Sequence, residues 1–135
     1  MLTRYHVQIL DELAEHKAGI SFNKLAEALR GRASRAVVSR ELRKLVARGI
    51  VTAERDPRHS QRRIFKLRGD LMSTLAALEA EASKLAEGGL EPTLKLVRAL
   101  VKWYAEVAKA FKDEALRAYL RHRALLWFDR ALRLL

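Results

Sequence analysis

Arg35, Ser39, Arg40 and Arg43 stand at spacings that bring them onto one face if their segment is helical, with Lys44 at the edge of that face. A guanidinium is planar, permanently charged and forked, so it pairs in bidentate fashion with a phosphate or with the O6/N7 edge of guanine. A serine hydroxyl among such arginines is permissive, since it both donates and accepts. Downstream, residues 55–67 read RDPRHSQRRIFKL, in which five of thirteen side chains are Lys or Arg. Arg58, His59, Arg62 and Arg63 are the candidate anion-binding groups of that run. A helix fits the major groove of B-DNA, and its exposed N-terminal half reaches base edges. The backbone amides that open such a helix near Ser34 and Arg35 can hold a phosphate, aided by the helix dipole. Both basic sets suit a polyanion.

Other chemistry finds little support. The chain of 135 residues has no cysteine, no glycine-rich phosphate loop and no histidine beside a plausible nucleophile and carboxylate. No catalytic residue and no cofactor is expected, so the protein does not read as an enzyme. His6, His16 and His122 lack carboxylate partners at ligand spacing, and no metal site is expected. His59 reads as a solvent residue or phosphate donor. Glu79, Glu81 and Glu87 read as decoration of a solvated helix face. Trp103, Tyr104, Trp127 and Phe128 read as interface core and not as a ligand cage.

Charge points the same way. The formal net charge is +11 and the sequence pI is about 10.6, which implies nucleic acid or an acidic membrane surface. Residues 31–68 hold twelve Lys and Arg against three acids, Glu41, Glu54 and Asp56. A membrane surface is disfavoured, because the apolar stripes lie in the other half of the chain. The longest apolar run, 124–128, is far too short to span a bilayer. Met1 leads straight into polar residues, so the expectation is a cytoplasmic, nucleoid-associated protein. The only amide side chains are Gln8, Asn23 and Gln61, which leans toward a thermophile or toward GC-rich coding.

The elements that must position these groups can be read from periodicity. Val7, Leu10, Leu13 and Ala14 mark a first helix over Thr3–Lys17, ended by Gly19. Ile20-Ser21-Phe22 reads as an extended link, with Ser21 capping a second helix over Asn23–Leu29. Gly31 breaks that helix, and Ser34 caps a third running to Arg48, with Val38, Leu42, Leu45 and Val46 inward. Ile50–Glu54 and Gln61–Leu67 read as strands on either side of an Asp56-Pro57 turn, with Phe65 and Leu67 inward. Beyond Gly69 the pattern becomes heptad-like. Leu71, Leu75, Leu78, Ala82 and Leu85 form one seam, and Gly88-Gly89 breaks it. Leu90, Leu94, Val97, Val101, Tyr104, Ala108 and Phe111 form the next, with Pro92 in the first turn. A break near Lys112-Asp113 and a last helix, apolar all round at Leu125–Phe128, complete the chain. That last helix is expected to be buried against a second subunit.

The order helix, helix, helix, strand, basic loop, strand resembles the winged helix-turn-helix of MarR-type transcriptional regulators, with ArsR-type regulators second. The matching pieces are Leu25-Ala26-Glu27-Ala28-Leu29, Val38 to Leu45, Arg48-Gly49-Ile50-Val51 and the wing Asp56 to Arg63. The resemblance implies wing contacts in the minor groove from Arg58 and from Arg62 or Arg63. Asp56 would pair with an arginine and hold the loop's shape. The fold class expected is mainly α with a small β-hairpin: a winged helix-turn-helix over 1–69, then a coiled-coil-like helical dimerisation region over 70–135. The function expected is a homodimeric, sequence-specific binder of double-stranded DNA. A non-specific architectural DNA-binding protein and a winged-helix protein–protein adaptor are the competing readings. No residue set announces a small-molecule effector.

Overall fold

The computed structural model describes residues 2–86 and 90–134. The Thr3 hydroxyl accepts the His6 amide at 3.2 Å while His6 Nδ1 accepts the Thr3 amide at 3.2 Å, a reciprocal cap that starts α1 (Arg4–Ala14). The helix stops before the expected Lys17. Tighter i→i−3 bonds, His16 to Leu13 and Gly19 to His16, take over from the α-helical ladder. Gly19, at φ 98°, then turns the chain into β1 (Ile20–Ser21), so the anticipated link is a strand.

Ser21 accepts the Lys24 amide and caps α2 (Phe22–Ala28). The turn over 30–33 closes with the Leu29 carbonyl accepting from Arg32 and Ala33, and Gly31 takes φ 85° within it. Ser34 accepts the Val37 amide and caps α3 (Arg35–Ala47). The hairpin follows as β2 (Val51–Asp56) and β3 (His59–Leu67). The sheet order is β1-β3-β2, all antiparallel, with Ile20 opposite Phe65 and Val51 opposite Leu67. Register slips between Arg55 and Asp56, where a bulge bends the hairpin tip. Ile9, Leu10, Leu13, Leu25, Leu29, Val38, Leu45 and Ile50 are buried and form the base of this unit.

The chain divides into two units, Leu2–Met72 and a second that begins at Ser73. The division falls within α4 (Gly69–Ala86), which is followed by α5 (Leu90–Ala110) and α6 (Glu114–Leu134). Pro92 sits in the first turn of α5. The break before α6 falls where it was expected, with the Asp113 carboxylate accepting the Ala115 amide at 2.8 Å. Leu71, Leu75, Leu78 and Ala82 are buried along α4, as their spacing predicts. Glu87, Gly88 and Gly89 lie outside the described residues, as do the side chains of Leu85, Leu90 and Ala108.

In α5 the expected seam is corrected. Leu96, Leu100 and Val107 are buried, whereas Leu94 and Val101 are 55% and 63% exposed; Phe111, just beyond the helix, is buried as expected. The helix carries two adjacent apolar stripes, and the chain packs only one of them. Leu78, Ala82, Leu96, Leu100, Ala124, Trp127 and Ala131 form one core cluster, with Val97, Trp103 and Phe128 packed on it. Trp127 therefore serves the chain's own core, where an interface role was expected. Glu79 is also no mere surface decoration, because it accepts from Arg123 Nη2 at 2.6 Å and from Trp127 Nε1 at 2.8 Å.

Candidate nucleic-acid interface

The third helix buries Val38, Leu42 and Leu45 against the unit's core, which turns Arg35, Arg40, Arg43 and Lys44 to solvent and leaves Ser39 half-buried. In the first turn of α3, Arg35 is held by two neighbours from α2. Arg35 Nη2 donates to Asn23 Oδ1 at 2.8 Å, and its guanidinium lies 5.0 Å from the centroid of the Phe22 ring. Arg30, Arg32, Ser34 and Arg35, with Tyr5, line an open cleft of about 700 Å³ there. Arg30, Arg32 and Arg35 bring positive charge to the N-terminus of α3, although Glu27 also lines the cleft and pairs with Arg30 at 3.5 Å, and Arg32 donates to the Ala28 carbonyl.

Helix and wing then converge. Ser39 and Arg43 of α3 share a cleft of about 230 Å³ with Arg63 of β3, floored by Phe22 and Phe65. Arg43 is steadied by its Nε donating to the Ser39 carbonyl at 3.4 Å. Arg58 and Arg62 line a third cleft, of about 400 Å³, with Lys24 and Lys66. Among the described residues the guanidinium groups of Arg58, Arg62 and Arg63 hold no ion pair and no hydrogen bond, and all three are exposed. His59 is exposed at the start of β3, opposite Asp56. Asp56 differs from expectation in its partner. Its Oδ1 accepts the backbone amide of Arg58 at 2.9 Å, so it shapes the turn through the main chain and not through a guanidinium.

The profile of the MarR family matches residues 2–62, the stretch from α1 through the basic hairpin. The winged helix is of MarR type. No curated protein matches the chain. Among solved structures, a mutant of ZitR from Lactococcus lactis is similar over 93% of this chain and 73% of its own, at 21% identity and a TM-score of 0.48. MarR-type winged helices belong to DNA-binding transcriptional regulators, and this domain is similar to theirs in the order of its elements and in its basic wing.

Within this MarR-type domain the structure adds two groups that the linear sequence does not announce. Asn23 and Phe22 orient Arg35, although neither carries a charge. Glu41, on the inner side of α3, is 4% exposed and pairs with His6, itself 5% exposed, through Nε2 and Oε2 at 2.6 Å. His6 thus has a carboxylate partner after all, 35 residues away in the chain. The other Glu41 oxygen, Oε1, accepts from Arg40 Nε at 3.1 Å and Lys44 Nζ at 3.4 Å. Burial pushes the Glu41 carboxyl up, but the hydrogen bonds from Arg40, His6 and Lys44 outweigh it and hold the group below the ordinary glutamate range. Helical spacing does place Glu41 on the stripe of Val38, Leu42 and Leu45, but nothing in the linear order names His6 as its partner. No cluster of metal-ligating side chains occurs among the described residues.

Proposed function

We propose that the protein is a homodimeric, sequence-specific regulator of transcription that binds duplex DNA with α3 in the major groove and the wing along phosphates and the minor groove. The observation that supports this most is the shared cleft of Ser39, Arg43 and Arg63, where the exposed helix face and the basic hairpin present donors side by side. In this reading Arg35, Ser39, Arg40 and Arg43 face base edges, while Ser34 and the opening amides of α3 hold a phosphate. Arg58, His59, Arg62 and Arg63 contact the backbone and the minor groove.

The second copy is assigned to the helical unit. Leu94, Val101, Leu125, Leu126 and Leu132 are exposed there, more apolar surface than a chain this small leaves uncovered. A largely apolar groove of about 290 Å³ runs between α5 and α6, lined by Leu100, Val101, Tyr104, Ala124, Leu125 and Phe128, with Arg121 also on its lining. A two-fold dimer through this face would set two winged helices on a pseudo-palindromic site, roughly one helical turn apart. The role implies a cytoplasmic, nucleoid-associated protein.

Selection from a pool of random duplexes tests the reading. A regulator enriches a two-fold related motif and prefers it over bulk duplex DNA by about 1,000-fold or more. The three unpaired wing arginines favour one rival reading, an architectural binder, which would enrich no motif and give a ratio near one. Absence of duplex binding at low salt would support a docking module instead.

A further inference from the structure

Glu41 is the one buried acid on α3, and it pairs with Arg40, one of the basic groups assigned to DNA, and with Lys44 at the edge of the same face. Its two oxygens have different duties. Oε2 faces inward to His6 Nε2, and Oε1 faces outward to Arg40 and Lys44. The inward side is fixed by chemistry. His6 Nδ1 accepts the Thr3 amide, so the ring proton lies on Nε2 and is donated to Glu41. The carboxylate is thereby held from behind by the capped first turn of α1, a rigid element. Its outward oxygen takes Arg40 at Nε. That choice of atom matters, because it leaves the end-on N–H pair of the guanidinium, one from Nη1 and one from Nη2, without an acceptor among the described residues. Those two are the pair that fits guanine O6 and N7. Arg40 is 58% exposed and makes no other hydrogen bond among the described residues. An arginine so exposed ordinarily samples many rotamers, and ordering it on binding costs free energy.

We propose that Glu41, braced by His6, is a positioning residue for sequence discrimination: it holds Arg40 by Nε so that the terminal fork reads one base pair in each half-site. This rests on the regulator reading above. Lys44, on the same oxygen, is a compact point charge with no fork to aim, so its part is a phosphate contact. Glutamine at position 41 keeps the size of the side chain but loses the arrangement. Its one carbonyl cannot meet both the His6 and the Arg40 donors from opposite sides, and its amino group would confront one of them.

The experiment is selection from random duplexes with the full chain, followed by titration of the enriched duplex, its single-base-pair variants and bulk duplex DNA. Arg40→Ala identifies the base pair that Arg40 reads. Glu41→Gln is expected to lose about tenfold discrimination at that same base pair, the scale of one bidentate contact. Its affinity for bulk duplex DNA rises, since a negative charge has left the DNA-facing helix. The double variant Arg40→Ala/Glu41→Gln discriminates no worse than Arg40→Ala alone. Unchanged discrimination, or a loss spread evenly over all base pairs, overturns the proposal while leaving the regulator reading intact. A wild-type chain that enriches no motif overturns both. Should Glu41→Gln fail to fold by circular dichroism, Glu41→Asp keeps the charge and shortens the reach, and the same base pair is expected to relax. Independently of any variant, the Arg40 Nε–H resonance of the DNA-free protein is expected as a distinct, exchange-protected signal. An averaged, free-arginine signal overturns the proposal.

Discussion

In the proposed reading the wing arginines serve DNA binding, whereas the buried acid on the inner side of the third helix also serves stability. Arg62 and Arg63 are exposed and carry charge alone, so Arg62→Ala/Arg63→Ala is expected to weaken binding to all duplexes alike. In a plot of log affinity against log salt the slope should shrink by about 1.8, since each phosphate that a cation no longer neutralises removes about 0.9. Filter binding over a range of salt concentrations reads this directly, and an unchanged slope removes the wing from the interface. Glu41 instead contributes to folding. Its pKa in the fold lies below its unfolded value, near 4.5. The unfolded chain therefore takes up the proton first, and the stability that Glu41 contributes is present above about pH 4.5 and lost as pH falls through the lower folded value. Denaturant melts of the wild type and of Glu41→Gln, taken at pH 7 and again at pH 3, check the sign. The wild type should lose more stability than the variant on acidification.

At the scale of elements, the helix-turn-helix depends on its punctuation. Gly31 lies at φ 85° with open space where a Cβ would point, so Gly31→Ala meets only backbone strain. It is expected to cost about 1–2 kcal/mol. Ser34→Ala removes the cap on α3 and is expected to cost about 1 kcal/mol. Thermal melts of both variants measure these losses, and a Gly31→Ala protein as stable as wild type would contradict the turn geometry. These same signals are the ones legible in the sequence. Ser21, Ser34 and Asp113 each precede an apolar period and each caps a helix, because a short polar side chain is favoured there for a local reason. The basic hairpin is legible too, since its strands alternate and Asp56-Pro57 marks the turn. What escapes a linear reading is non-local. A two-residue strand such as β1 has no period to detect, and becomes a strand only by lying beside Phe65 and Ile64. The α5 seam is misplaced by its spacing because two apolar stripes run side by side, and spacing does not say which one the chain itself covers. The His6–Glu41 pair joins residues of α1 and α3 that nothing in the linear order connects.

For the whole molecule, the proposed dimer rests on the exposed apolar stripe, and the proposed salt-dependent binding to DNA on the net charge of +11. Val101 and Leu125 lie on the exposed groove and outside the chain's own core cluster, so Val101→Glu/Leu125→Glu should leave the helical content intact. Sedimentation is expected to show the wild type as a dimer and this variant as a monomer with sharply weaker binding to a two-fold site. A wild-type monomer at the concentrations used for DNA binding would refute the dimer. Because β1 holds β3 only at Phe65 and Ile64, the hairpin beyond Arg63 is a cantilever, clamped at its root and loaded with charge at its tip. In the proposed complex its far end would follow the local width of the minor groove without disturbing the third helix. Amide exchange should therefore be slow at Phe65 and fast near His59 in the free protein, and should slow at the tip alone once DNA is bound.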